Sequence, residues 1–313
     1  MRPWVPTREQ SRRCLRGLLV LVVSALTQSG CHPEHAEAKR LERACESGEV
    51  VSCERLGERL EAGRYVLRDE SRAAALFTRA CTGGAGDGCA RLGVLHQRGV
   101  GVKRDSARAA RLFAQACARN GLDGCTRLGM LQRQGSGLAR DAARAATLFT
   151  RACDGGNLAG CAELGALYAA GEGVAPDAPR AAGLLRRACD AKIAPGCLGL
   201  ARLHVSGSGV ARNDSLAVAL YDRSCDDEES TACFELGALY ESGRSAPQNY
   251  ERAARLYRRA CESRHGEACF RLAGLYQKGA GVYRDSSEAD RHIQRACRTG
   301  YTAACPPKKG AAA

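Results

Sequence analysis

Between Cys89 and Gly124 the apolar positions describe two short helices. Leu92, Leu95 and His96 fall at i, i+3 and i+4, the spacing of one helix face, and Gly99 follows as a left-handed stop. Beyond a polar turn, Asp105 offers a carboxylate to the orphan amides of a second helix. Ala109, Leu112, Phe113 and Ala116 then trace a narrow apolar stripe at i, i+3, i+4 and i+7.

The pattern returns every 36 residues. The stop is Gly63, Gly99, Gly135, Gly171, Gly207, Gly243 and Gly279. The cap is Asp69, Asp105, Asp141, Asp177, Asn213, Asn249 and Asp285, and the first stripe position is alanine from Ala73 to Ala289. A fixed period of this length marks a solenoid. The position of Gly93 holds only glycine or alanine (Gly57, Gly129, Gly165, Ala201, Gly237, Ala273), which implies a neighbouring helix too close for a larger side chain. Glu37 and Arg40 replace apolar stripe residues in a lone leading helix near 36–46, and His292 replaces the stripe leucine of the last. The ends of a stack must meet water, so these substitutions cap it.

Sixteen of the 18 cysteines share the register, as the pairs 45/53, 81/89, 117/125, 153/161, 189/197, 225/233, 261/269 and 297/305. With segments such as "CFELGALYESG" and "GVGVKRDSARAARLFAQAC", the chain resembles Sel1-like repeats. Its C-x7-C spacing is similar to that of the Helicobacter cysteine-rich proteins. The resemblance implies an all-α fold, an α/α solenoid (a right-handed superhelix) of 36-residue disulfide-clipped helix pairs over residues 36–305, with about seven full units after a leading half unit. Within each pair the first cysteine ends one helix and the second begins the next, with small residues such as Ala80 and Gly88 beside them. Disulfide clips follow: Cys45–Cys53, Cys81–Cys89, Cys117–Cys125, Cys153–Cys161, Cys189–Cys197, Cys225–Cys233, Cys261–Cys269 and Cys297–Cys305. The competing reading is zinc held by thiolates of adjacent units, but zinc knuckles favour two to four residues between cysteines.

The N-terminus has five arginines, an apolar run from Leu18 to Leu26 and "SGC" at Ser29–Cys31. Residues 1–30 read as a signal peptide. The ending resembles a bacterial lipobox, although Gln28 stands where leucine is usual, and the odd cysteine count leaves Cys31 for lipidation in a segment spanning 31–35. Cleavage near Ser29 with a free Cys31 is the alternative. Loss of five arginines and Glu9 lowers the formal charge from +13 to +9. Residues 306–313 read as a disordered tail.

Catalytic chemistry is hard to find. The six histidines have no metal spacing, and "QGSGLA" and "SGSGVA" lie in turns, not after a strand. No cofactor, catalytic residue or metal site is expected. Some cysteine-rich relatives are described as penicillin-binding proteins or β-lactamases, which makes weak β-lactam hydrolysis the alternative function. S-x-x-K, S-D-N and K-T-G are all missing from the sequence.

Two surfaces could carry partners. On the first helix the variable positions of Arg91, Val94 and Arg98, with Met130, Gln134 and Arg202 at equivalent places, lie away from the stripe. On the second helix Arg72, Arg108, Arg144, Arg180 and Arg252 form one file, and Arg79, Arg151, Arg187, Arg223, Arg259 and Arg295 another. The files suit salt bridging or an anionic or peptidoglycan-related ligand. The expectation is an exported scaffold for protein partners in a bacterial cell envelope, periplasmic or at the outer membrane as a lipoprotein held by a lipid anchor and otherwise secreted, without a nucleic-acid role.

Overall fold

The computed structural model describes residues 33–305. The expected signal peptide, Cys31 and the tail 306–313 lie outside the described residues. The helices are α1 (Pro33–Glu46), α2 (Val50–Ala62), α3 (Glu70–Thr82), α4 (Gly86–Arg98), α5 (Ser106–Ala118), α6 (Leu122–Gln134), α7 (Ala142–Asp154), α8 (Leu158–Ala170), α9 (Ala178–Asp190), α10 (Ala194–Ser206), α11 (Asp214–Asp226), α12 (Ser230–Ser242), α13 (Tyr250–Glu262), α14 (Gly266–Lys278) and α15 (Ser286–Arg298). Among the described residues there is no strand. The fold is a helical solenoid of pairs preceded by the lone α1.

Local chemistry sets every boundary. Each of the seven cap residues accepts a hydrogen bond from the amide three residues on, as Asp105 does from Arg108 at 2.8 Å. That bond holds the Asp105 carboxyl below its usual range. All seven stop glycines take a positive φ, between 65° and 74°, a conformation that other L residues adopt only with strain.

The chain divides into two compact units, one through Gly124 and one from Cys125. In the first, Leu56, Phe77, Leu92 and Leu95 belong to one buried cluster. In the second, one cluster gathers Phe149, Leu164 and Leu167, and a larger one Leu185, Leu236, Tyr257, Leu272 and Leu275. The restricted position has a direct cause. A Cβ on Gly93 would lie 2.6 Å from the Phe113 ring, so the close neighbour is the stripe aromatic of the following helix.

Seven bridges, from Cys45–Cys53 to Cys297–Cys305, have Cα atoms 4.5–4.8 Å apart. Cys117 and Cys125 are disulfide-bonded too, and no cysteine among the described residues is free. The small flanking residues matter here, since a Cβ on Gly88 would meet that of Ala80 at 2.6 Å. The leading end is polar: Glu37 and Arg40 are exposed, and Glu37 pairs with Arg59 at 2.7 Å. At the other end His292 is half-buried against the Tyr276 ring.

Candidate interaction face

No cluster of His, Cys, Asp and Glu among the described residues could hold a metal ion. His96 and His204 are buried, and Nδ1 of each lies 3.2 and 3.0 Å from the carbonyls of Lys103 and Ala211. Only a protonated Nδ1 can meet a carbonyl, so both rings donate there and tie a helix to the turn that follows it.

The second arginine file works between repeats. The Arg79 guanidinium donates to the Cys45 carbonyl at 3.0 Å, Arg259 to that of Cys225 at 3.0 Å, and Arg295 to that of Glu262 at 3.2 Å. Each puts a cation at the negative end of the preceding helix of the second type; the Cys45 and Cys225 carbonyls also accept the Gly48 and Glu228 amides, at 3.0 and 3.1 Å. Where this position holds Gln115, Arg119 reaches the Cys81 carbonyl instead. The other file is more varied. Arg72 pairs with Glu42, while Arg180 and Arg252 sit over the rings of Tyr168 and Tyr240 at 4.5 and 4.6 Å.

The first-helix face carries a different device. In the first unit Arg91 pairs with Glu58 at 2.6 Å, beside half-buried Val94 and exposed Arg98. In the second unit Met130 is half-buried against the Phe149 cluster and Gln134 is exposed. Arg202 donates to Glu235 through Nε at 2.9 Å, and Arg133 holds both Glu163 at 3.1 Å and Glu172 at 2.9 Å. Burial pushes the Glu163 carboxyl up, while hydrogen bonds from Arg140 and Arg133 hold that of Glu172 down.

The same face opens into a groove of about 550 Å³ within the second unit. Its floor is apolar, with Val205 of α10, Leu239 of α12 and Leu275 of α14; Arg244, Arg271 and Lys278 stand at its rim beside Glu241 and Tyr250. Lys278 and Arg271 occupy the places of Arg98 and Arg91, two positions already singled out by their variation. Arg244 and Tyr250 were not foreseen. For Tyr250 the signal is an aromatic ring where other repeats hold Glu70, Ser106, Ala142, Ala178, Asp214 and Ser286; the position of Arg244 is mixed, with Arg64, Val100, Ser136, Glu172, Ser208 and Ala280, and gives none.

Stacked helix pairs clipped by disulfides, with packing positions fixed and one face variable, define a helical-repeat scaffold of the protein-interaction type. The chain belongs to the Sel1 repeat family. The Sel1 repeat model matches residues 50–84, 86–121, 122–157, 158–192, 194–228, 230–265 and 266–301. A protective antigen of uropathogenic Escherichia coli, described as displaying an SLR fold, is 28% identical over 85% of this chain with a TM-score of 0.56; this chain spans 57% of its length. A Sel1 repeat protein from Oxalobacter formigenes is 24% identical, covering 88% of this chain and 81% of its own, with a TM-score of 0.60. Helicobacter pylori cysteine rich protein B is 27% identical over 44% of this chain and 100% of its own, with a TM-score of 0.37. No curated protein sequence matches the chain. The bridged cysteines suggest an oxidising, extracytoplasmic setting. Among the described residues no helix is long and apolar enough to cross a membrane.

Proposed function

We propose that this chain is an exported, lipid-anchored scaffold that gathers protein partners in a bacterial cell envelope through its first-helix face. The observation that carries the reading is the groove on that face, where the recurring leucines Leu239 and Leu275, with Val205, form an apolar floor and variable positions supply a charged rim. Helix packing and inter-repeat clamps occupy the other faces, so partner specificity falls to these positions. Export and anchoring rest on the signal-like N-terminus and Cys31. Affinity capture from native membranes, followed by mass spectrometry, tests the scaffold reading. Replacing Arg91, Arg98 and Met130 by alanine should speed dissociation of the captured partner. Replacing Arg72, Arg108 and Arg144 should instead slow association and weaken its salt dependence. A partner whose binding survives the first set unchanged and is abolished by the second would place the interface on the second helices. Cys31→Ser should abolish fatty-acid labelling and release the protein from membranes; unchanged retention would refute the lipid anchor.

A further inference from the structure

The groove between α12 and α14 has an uneven electrostatic balance. Glu241, its one lining acid, is already engaged: it accepts the Tyr257 hydroxyl at 2.6 Å and lies 3.5 Å from the Arg271 guanidinium. Arg271 in turn lies 3.9 Å from Glu267. Tyr250 at the rim accepts from the Gln248 amide at 2.9 Å. Arg244 and Lys278 are exposed, and among the described residues neither has an ion-pair partner. Asp214 feels the charge of Arg244, but its carboxylate is held by Arg212 at 2.9 Å. Two uncompensated cations therefore overlook a floor whose exposed apolar surface comes from half-buried Val205 and Leu239, with Leu275 buried beneath them. The volume, about 550 Å³, lies within the range of ligand sites, about 300–1,000 Å³.

We infer that this groove receives a short segment of a partner protein in which an acidic residue stands beside an aliphatic one. The aliphatic side chain covers the leucine floor, where removal from water favours it. The carboxylate meets Arg244 and Lys278, while the Glu241 carboxylate stays paired with Arg271 and hydrogen-bonded by Tyr257. An anion alone would leave the floor wet, and an apolar segment alone would leave the cations unanswered. The inference rests on the scaffold reading and names the chemistry of its partner.

The test uses the full chain and a blocked, fluorescent peptide of alternating leucine and glutamate, its glutamine twin, and a muramyl peptide as the carboxylate-bearing glycan. The acidic peptide should bind, with affinity falling as salt rises, and the glutamine twin should bind roughly tenfold more weakly or worse. The double reversal R244E/K278E should lose a similar factor, while K103E, a charge reversal in the first unit, keeps wild-type affinity. Both reversed residues are exposed, and the neutral pair R244Q/K278Q provides the same reading if the reversal perturbs folding. Equal binding of the two peptides, no binding at about 1 mM, insensitivity to both double variants, or tighter binding of the muramyl peptide would each overturn the inference. A membrane partner that binds wild type and R244E/K278E alike would overturn it too and leave the scaffold reading standing. Failure to capture any partner while the acidic peptide still binds would count against the scaffold reading alone.

Discussion

Gly173 and Gly156 allow backbone conformation to be separated from repeat-to-repeat contact. Both have positive φ, +71° at Gly173 and +96° at Gly156. A Cβ on Gly156 would touch nothing within 4 Å, whereas one on Gly173 would lie 2.3 Å from the Ala142 carbonyl carbon and 2.6 Å from the Ala143 nitrogen. Ala142 opens the second helix of the preceding repeat, so the overlap is with backbone that no rotamer can move. Alanine in a left-handed conformation costs about 1–2 kcal/mol. At Gly156 the strain can relax, because Asn120, Lys192, Glu228 and Arg264 hold the equivalent position at φ 61–67°. Gly156→Ala should therefore destabilise by about 1 kcal/mol.

Gly173→Ala bears the same strain plus an overpacking term of about 1–3 kcal/mol, for a total of about 2–5 kcal/mol. The equivalent Ser245, at φ 63°, shows that this link can adapt, which favours the lower end. Repeat arrays can unfold in parts, so a single melting temperature would blur the comparison. Native-state hydrogen exchange of the α7 and α8 amides reads the local free energy instead. Each 1.4 kcal/mol is about tenfold in opening, so the overpacking term of about 1–3 kcal/mol should make Gly173→Ala exchange about fivefold to 150-fold faster than Gly156→Ala, nearer the lower figure. Equal exchange in the two variants would refute the claim that the turn is pressed against its neighbour.

Replacing Cys189 and Cys197 together by alanine should destabilise α9 and α10 by about 2.6 kcal/mol on a nine-residue loop, read by the same exchange. Arg119→Gln leaves the Cys81 carbonyl without its cation and should loosen the last turn of α3 by about 1 kcal/mol, with no effect on α13. Burial holds His265 below its usual range, against the pull of Glu267, Glu229 and Glu235, and its Nδ1 caps α14 by accepting from the Ala268 amide at 3.2 Å. With the folded value depressed, stability is complete above about pH 6.5 and declines as pH falls toward the folded value. His265→Asn copies Asn157, which caps α8 with its side-chain oxygen at 2.8 Å, and should remove that decline in an acid titration of unfolding. Purified protein should turn over no chromogenic β-lactam above buffer, and hydrolysis that persists through orthogonal purification would contradict this.

Contacts within one repeat were readable because they obey helical spacing. A cap at Asp105, a stripe through Leu112 and Phe113 and a stop at Gly99 each involve residues three to seven apart, where sequence order is spatial order. The family resemblance then supplied the stacking. Contacts between repeats were opaque, because they depend on how far one helix pair is displaced from the next. Arg79 and Arg259 read as a file for salt bridges or an anionic ligand, yet each reaches a carbonyl 34 positions earlier. Arg119, just past the end of α5, makes the contact that Gln115 leaves unmade. Of the groove, Lys278 stood out by its variation, whereas Arg244 lies in the turn between helices and Tyr250 at the first position of α13, away from the apolar stripe.

The first-helix face shows how variation and structure coexist. Glu58 meets Arg91 and Arg202 meets Glu235 through the same two repeat positions with the signs exchanged. Arg133 with Glu163, and Glu241 with Arg271, repeat the exchange through a second pair of positions. Stacking therefore demands complementarity across the joint but leaves the sign free, and such exposed pairs are worth only about 0–1 kcal/mol each. A partner approaching this face meets charges already answered at Arg91 and Arg202. It must discriminate by what the ladder leaves over: exposed Arg98 in the first unit, and Gln134, Arg244 and Lys278 in the second. On the proposed scaffold reading, binding specificity falls to residues at the ends of the first helices and just beyond them, where a side chain can change without disturbing the joint beside it.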